Sequence, residues 1–191
     1  MRICSAVLLA ATVGLPMEAR PQAPAKLPAG HIKSGTLSFD GRASVGDFVG
    51  TTSTVSGEMT AADSVSAVRG WVESPVKTLK TGNGKRDRDL NKSMESDKYP
   101  NLRFDLASVT QGAGTADSVP VTLRGKLTIH GVSREVELPG FVRFGDGGVR
   151  VRTDFPLNLK DYQIGGLTKM LGMLKMYEDI EVHVDLTFGP S

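Results

Sequence analysis

A single cysteine, Cys4, stands in 191 residues. That excludes internal disulfides and any cysteine-based zinc site. Aromatic residues make up only 6% of the chain, and there are three histidines. No His-x-x-x-His, Gly-x-Ser-x-Gly or cysteine-based motif is present, so no familiar metal or nucleophile constellation can be named. No cofactor is implied. Charge of one sign is not in excess: 23 lysines and arginines face 21 aspartates and glutamates, a formal net charge of +2. A dedicated nucleic-acid binder usually shows a strong basic surplus, so nucleic acid is not an expected partner. Long apolar runs are lacking too. Ile3 to Val13 is the most apolar stretch, and it is shorter than the roughly 20 residues that cross a bilayer. No stable membrane span is therefore expected. No repeat of solenoid or propeller length is evident.

What is there falls into two parts. Arg2, the short apolar run and the small residues after it describe a secretory signal peptide over 1–19, with Ala25 as a later cleavage position. Pro16, Pro21, Pro24 and Pro28 break regular structure, so 20–31 reads as a flexible proline-rich leader. Cys4 precedes the apolar run and would leave with it. The mature protein is then free of cysteine and destined for the periplasm or for secretion.

From residue 32 to 191 the dominant period is two, the mark of half-buried antiparallel strands. Leu102, Phe104 and Leu106 share one face. Leu123, Leu127 and Ile129 share another, as do Phe155 and Leu157, and Val182, Val184 and Leu186. His130-Gly131 and Gly145-Asp146-Gly147-Gly148 punctuate such runs as hairpin connections. Seven or eight strands in one domain leave a sandwich or a closed barrel. Val68 to Thr78 is read as one such strand, with Val68, Gly70, Val72, Ser74 and Val76 inward and Trp71 outward. Small inward side chains leave room for one small apolar ligand in an eight-stranded barrel. Phe39, Phe104, Phe155 and the methionines could equally fill it, and alternation alone leaves both open.

Two segments depart from the period. Asp87 to Lys98 is highly charged and nearly free of apolar residues, and it predicts a long surface connection with a short helical turn. Leu167 to Met176 carries Leu167, Met170, Leu171 and Leu174 at helical spacing and predicts a short helix against the strands.

Chemistry-bearing residues are few. His183 lies between Glu181 and Asp185 on a polar strand face, where solvation is commoner than metal binding. Gly82-Asn83-Gly84-Lys85 lacks the full phosphate-loop spacing. Arg86, Asp87 and Arg88 either hold an anionic head group or neutralise one another and fix a loop.

The sequence also carries a set of blocks in a fixed order. Thr78-Leu79-Lys80-Thr81-Gly82 leads to Arg86-Asp87-Arg88-Asp89-Leu90. Lys98-Tyr99-Pro100 and Phe104 follow, then Gly125-Lys126-Leu127-Thr128-Ile129-His130-Gly131-Val132 with Arg134, Val136 and Leu138. Together, from about Gly35 to Phe188, these resemble the YceI-like family of bacterial, lipocalin-like proteins. Asp89 departs from the histidine frequent there, and the methionine-rich stretch before Tyr177 is unusually long and apolar. The resemblance implies an all-β, eight-stranded antiparallel barrel with one or two short helices. It also implies an apolar tunnel for an isoprenoid lipid, such as a polyprenyl phosphate or a quinone-like molecule, with export and without assigned catalytic residues. Mapped by strand parity, the tunnel wall is Phe39, Val72, Val76, Leu102, Phe104, Leu106, Leu127, Ile129, Phe155 and Leu157. Met170, Met173 and Leu174 form its lid. A homodimer is compatible with this reading. Two rival readings are an enzyme acting on a lipid head group through Asp87, Asp89 or His130, and a filled interaction module without a ligand.

Overall fold

Period-two alternation closes into a wall. The structure, a computed structural model, describes residues 27, 29–60, 62–114, 118–145, 148–165, 168–169 and 174–190; at 168, 169 and 174 it describes the backbone. The long strands are β1 (Gly30–Gly41), β2 (Phe48–Thr52), β3 (Ser56–Met59), β4 (Gly70–Pro75) and β5 (Asn101–Gln111). They continue with β6 (Val119–Ile129), β7 (Val132–Gly145) and β8 (Gly148–Asn158), and end with β11 (Asp179–Pro190). Their order round the sheet is β11-β8-β7-β6-β5-β4-β3-β1-β2, and β11 also pairs with β1. That last pairing, Leu37 opposite Val184 and Phe39 opposite Val182, closes the sheet and leaves no free edge at the seam. Both β2 and β3 pair antiparallel with β1, at its two ends, so they occupy one position round the wall. Among the described residues the architecture is an eight-stranded antiparallel barrel with one strand broken in two and a single α-helix.

Local chemistry sets the turns. Between β6 and β7 the chain reverses in two residues, with Ile129 opposite Val132. His130 and Gly131 both take positive φ, 52° and 74°, as the hairpin turn that matches strand twist requires. Gly125 on β6 sits under the Phe104 ring and the Asp105 carbonyl of β5, where a Cβ has no room.

The run from Val68 to Thr78 is not one strand. β4 occupies only Gly70–Pro75, between 3-10 turns at Val65–Ala67 and Val76–Thr78. Pro75 brings the ladder to an end, and the Val76 amide instead donates to the Pro100 carbonyl at 2.8 Å. The charged segment forms more helix than its sequence suggested: α1 spans Gly84–Ser93, ten residues. Asn83 caps it, with its side-chain oxygen accepting from the amides of Lys85 and Arg86 at 3.0 and 3.1 Å.

The expected helix over 167–176 is corrected as well. Its described residues form two short strands, β9 (Thr168–Lys169) and β10 (Leu174–Lys175), paired antiparallel. The segment just after it is zipped to the β1–β2 connection. Ser44 donates its amide to the Lys175 carbonyl, Tyr177 donates to that of Arg42, and Met176 pairs with Ala43. Pairing with a distant segment has overridden local helical spacing. Residues 1–26, on which the expected signal peptide and most of the expected leader fall, lie outside the described residues, as do Met170, Met173 and the Asp146-Gly147 turn. No described helix is long and apolar enough to cross a membrane.

Candidate functional site

The barrel encloses a cavity of about 510 Å³. That lies within the range of small-molecule sites, roughly 300–1,000 Å³. Its wall comes from the inward positions of successive strands, and pleating puts every second residue there. β5 contributes Leu102, Phe104 and Leu106; β6 contributes Leu127 and Ile129; β8 contributes Phe155 and Leu157. Phe39 of β1 and Val72 of β4 join them. These nine wall positions face one space. Val76 does not: the 3-10 turn after Pro75 carries it out of the pleat and buries it off the cavity, at 1% exposure. Of the three lid residues, Met170 and Met173 fall outside the described residues, and Leu174 is a backbone position in β10.

Parity reasoning left out Leu37, Val151, Val182, Val184 and Leu186, which also line the cavity. The alternation of Val182, Val184 and Leu186 was the available signal. Leu90 of α1 and Met94, which caps its C-terminus, reach it too. Their spacing of four on an otherwise charged helix was the only hint.

The two ends differ. At the end where β1 begins the lining includes the buried Leu27, Val65 and Val68 and the exposed Glu58 and Arg69. At the other end the lining includes the exposed Val45, Asn83, Lys85 and Lys175, with Arg86 and Asp89 half-buried beside them. The cavity therefore opens at a polar rim made by α1, the β1–β2 connection and β10.

The charge cluster is divided by the helix. The Arg86 guanidinium lies 4.2 Å from the Phe48 ring centroid, and its Nε donates to Thr81 Oγ1 at 3.1 Å. Asp87 turns to the same threonine. Its Oδ1 accepts from the Thr81 amide at 2.9 Å and the hydroxyl at 2.6 Å. Those bonds hold its carboxyl below the usual aspartate range. Arg88 is exposed and does not line the cavity. The three side chains thus do not converge on one anion; Arg86 alone of them reaches the rim.

Of the residues weighed for catalysis, only Asp89 lines the cavity. His130 is packed away behind the β6–β7 turn. Its Nδ1 lies 3.1 Å from the Tyr162 carbonyl, and its ring meets Tyr99 edge-on at 4.8 Å. His183, on the outer wall, sits between Asp154 at 2.6 Å and Asp40 at 3.3 Å. Asp185 beside it is taken by Arg150 at 2.6 Å. Among the described residues no cluster of His, Cys, Asp or Glu could hold a metal ion.

Comparison with known proteins places this geometry. The model of the YceI-like domain matches residues 32–188. No curated protein matches the chain. Burkholderia cenocepacia BcnA shares the fold at a TM-score of 0.68 and 15% identity, over 80% of this chain and 94% of its own. A polyisoprenoid-binding domain from Saccharophagus degradans does so at 0.67 and 13%, over 86% and 99%. The Campylobacter jejuni YceI protein aligns at 0.52 and 16%, over 95% and 94%. At such identities the likeness speaks for the barrel.

Proposed function

The chain belongs to the YceI-like family, and from that premise we propose that its barrel holds the chain of an isoprenoid lipid, a polyprenyl phosphate or quinone-like molecule, with the head group at the α1 rim. The observation that carries this is the apolar cavity of about 510 Å³ with a polar rim at its α1 end. Each methylene moved out of water there contributes about 0.8 kcal/mol. Ordering a flexible chain offsets part of that sum, so a chain of several isoprene units is needed for firm retention. The description of the Saccharophagus degradans neighbour as polyisoprenoid-binding supports the same cargo class.

The role is carriage or sequestration rather than turnover. The apolar wall offers packing, and His130 is engaged with the Tyr162 carbonyl away from it. Export belongs to the proposal and rests on the leader read in residues 1–19.

The test is mass spectrometry of organic extracts from protein expressed with its full sequence in a bacterial host. A stoichiometric polyprenyl or quinone species is expected. A protein that emerges empty and takes up no added isoprenoid overturns the proposal. N-terminal sequencing of the same material reads export, since cleavage after Ala19 or Ala25 is expected.

A further inference from the structure

Large apolar side chains left in water gather at the open end. Among the described residues four are strongly exposed: Val45 at 74%, Phe141 at 56%, Val49 at 54% and Tyr177 at 46%. All but Phe141 belong to the end where the cavity opens. Val45 lines the mouth itself. Tyr177 is held beside it, because its amide donates to the Arg42 carbonyl at 2.9 Å. Lys175 stands over the Tyr177 ring, its Nζ 5.4 Å from the centroid. Arg42, Lys85 and Lys175 are exposed there. The carboxylates of this end lie mainly to one side: Asp40, Asp47, Asp179 and Glu181 line a crevice on the adjoining outer wall, and Arg42 lines it with them. Asp89 is the carboxylate that lines the mouth.

We propose that this rim docks on an anionic bilayer surface, with Val45 and Tyr177 entering the headgroup layer and Lys85 and Lys175 facing lipid phosphates. The composition selects this partner. Isolated apolar tips amid basic side chains are what an interfacial contact uses, since partial insertion and attraction to anionic lipid add together. A tyrosine beside a lysine is the pairing favoured at headgroup depth. A protein partner would need a contiguous apolar core, which single exposed residues separated by charges do not supply. Docking at the mouth also lets an apolar chain pass between bilayer and cavity without crossing water.

Vesicle cosedimentation of the full chain tests this, with phosphatidylcholine vesicles against vesicles of equal parts phosphatidylcholine and phosphatidylglycerol. Binding is expected with phosphatidylglycerol, weakening as salt is added. Lys175→Glu and Val45→Asp are each expected to lower it about tenfold, the order that reversing a basic charge near an anionic surface produces. Phe141→Asp, on the wall away from the rim, is expected to leave it unchanged. Any uncleaved leader is common to all variants, so differences between them report the rim. Equal binding to both vesicle types, or rim variants that bind like the parent, overturns the proposal. So does a vesicle-free dimer that Val45→Asp dissolves, because a second copy would then cover the rim. Vesicle binding is read without cargo, so this inference and the lipid-carrier reading fail separately.

Discussion

Val72 and Val76 lie four residues apart in one alternating run and meet opposite surroundings. Val72 is half-buried on the cavity wall, whereas Val76 is packed shut beneath the start of the α1 connection. They stand for two regions. The wall is apolar but incompletely filled, and Leu102, Phe104, Leu106, Val151 and Val184 on it are only partly buried. The shelf next to it is close-packed, with Val76, Ser96 and Tyr162 all buried off the cavity. Two hydroxyls are paired where it meets the wall: Ser74 donates to the Thr54 carbonyl at 2.9 Å, and Thr78 donates to that of Pro75 at 2.7 Å. A hollow barrel forfeits contacts that a filled one would have. Rigidity at the mouth therefore depends on the shelf, and capacity depends on the wall.

The sharpest way to break this comparison is to place charge on the shelf. Val76→Asp buries a carboxylate without a partner and is expected to cost about 4 kcal/mol or more. Urea denaturation monitored by circular dichroism reads it. A loss near 1 kcal/mol would mean that Val76 is as loosely held as the wall. The complementary change fills the wall. Val72→Trp adds bulk where space exists, so its stability cost is expected to stay below about 1.5 kcal/mol. Lipid recovered in organic extracts is expected to fall at least tenfold. A folded Val72→Trp protein that takes up lipid like the parent would remove Val72 from the binding wall.

Why the sequence separated these regions imperfectly follows from where each signal resides. β5, β6, β8 and β11 were legible because each has one wet and one apolar face, as in Leu102-Arg103-Phe104-Asp105. β2 and β3, Phe-Val-Gly-Thr-Thr and Ser-Gly-Glu-Met, carry too few apolar residues to alternate visibly. They are strands because β1 offers them a ladder. Parity carried past Pro75 put Val76 on the wrong surface, since a proline that ends a ladder also ends the pleat. The methionine-rich segment fitted a helix by spacing, yet its neighbours take their partners more than a hundred residues away, as Lys175 does with Ser44. The Arg86–Phe48 and Asp87–Thr81 contacts are likewise invisible to local periodicity. The wall was readable as a face, while the mouth was not.

The joint between shelf and mouth can be loosened selectively. Asp87 ties α1 to Thr81, so Asp87→Asn is expected to cost about 1 kcal/mol near neutral pH, one charge-assisted bond discounted for partial exposure. The folded-state pKa of Asp87 is depressed. Its contribution is therefore present above the ordinary aspartate value and is lost as pH falls through the folded value. The gap in urea midpoint between parent and variant should therefore begin to shrink as the pH is taken below the ordinary aspartate value of about 3.9 and close only further into acid. A gap that persists unchanged in acid would show that the carboxylate charge is not what anchors the helix.

The smallest effect belongs to the outer wall, where neither the cavity nor the shelf is involved. His183 on β11 faces Asp154 of β8 and Asp40 of β1, the strands on either side of it. The bond to Asp154, reinforced by Asp40, raises its pKa. A raised folded-state value means the stabilisation is fully present below the ordinary histidine pKa and is lost as pH rises through the folded one. The pair is partly exposed, so the size expected is only about 0.5 kcal/mol. Urea midpoints should therefore decline slightly from about pH 6 upward in the parent, and His183→Gln should flatten that decline without altering lipid recovery. A decline of equal steepness in His183→Gln would assign it to other groups. A simultaneous loss of lipid would couple the outer wall to the cavity, which the separation of the two faces of each strand does not allow.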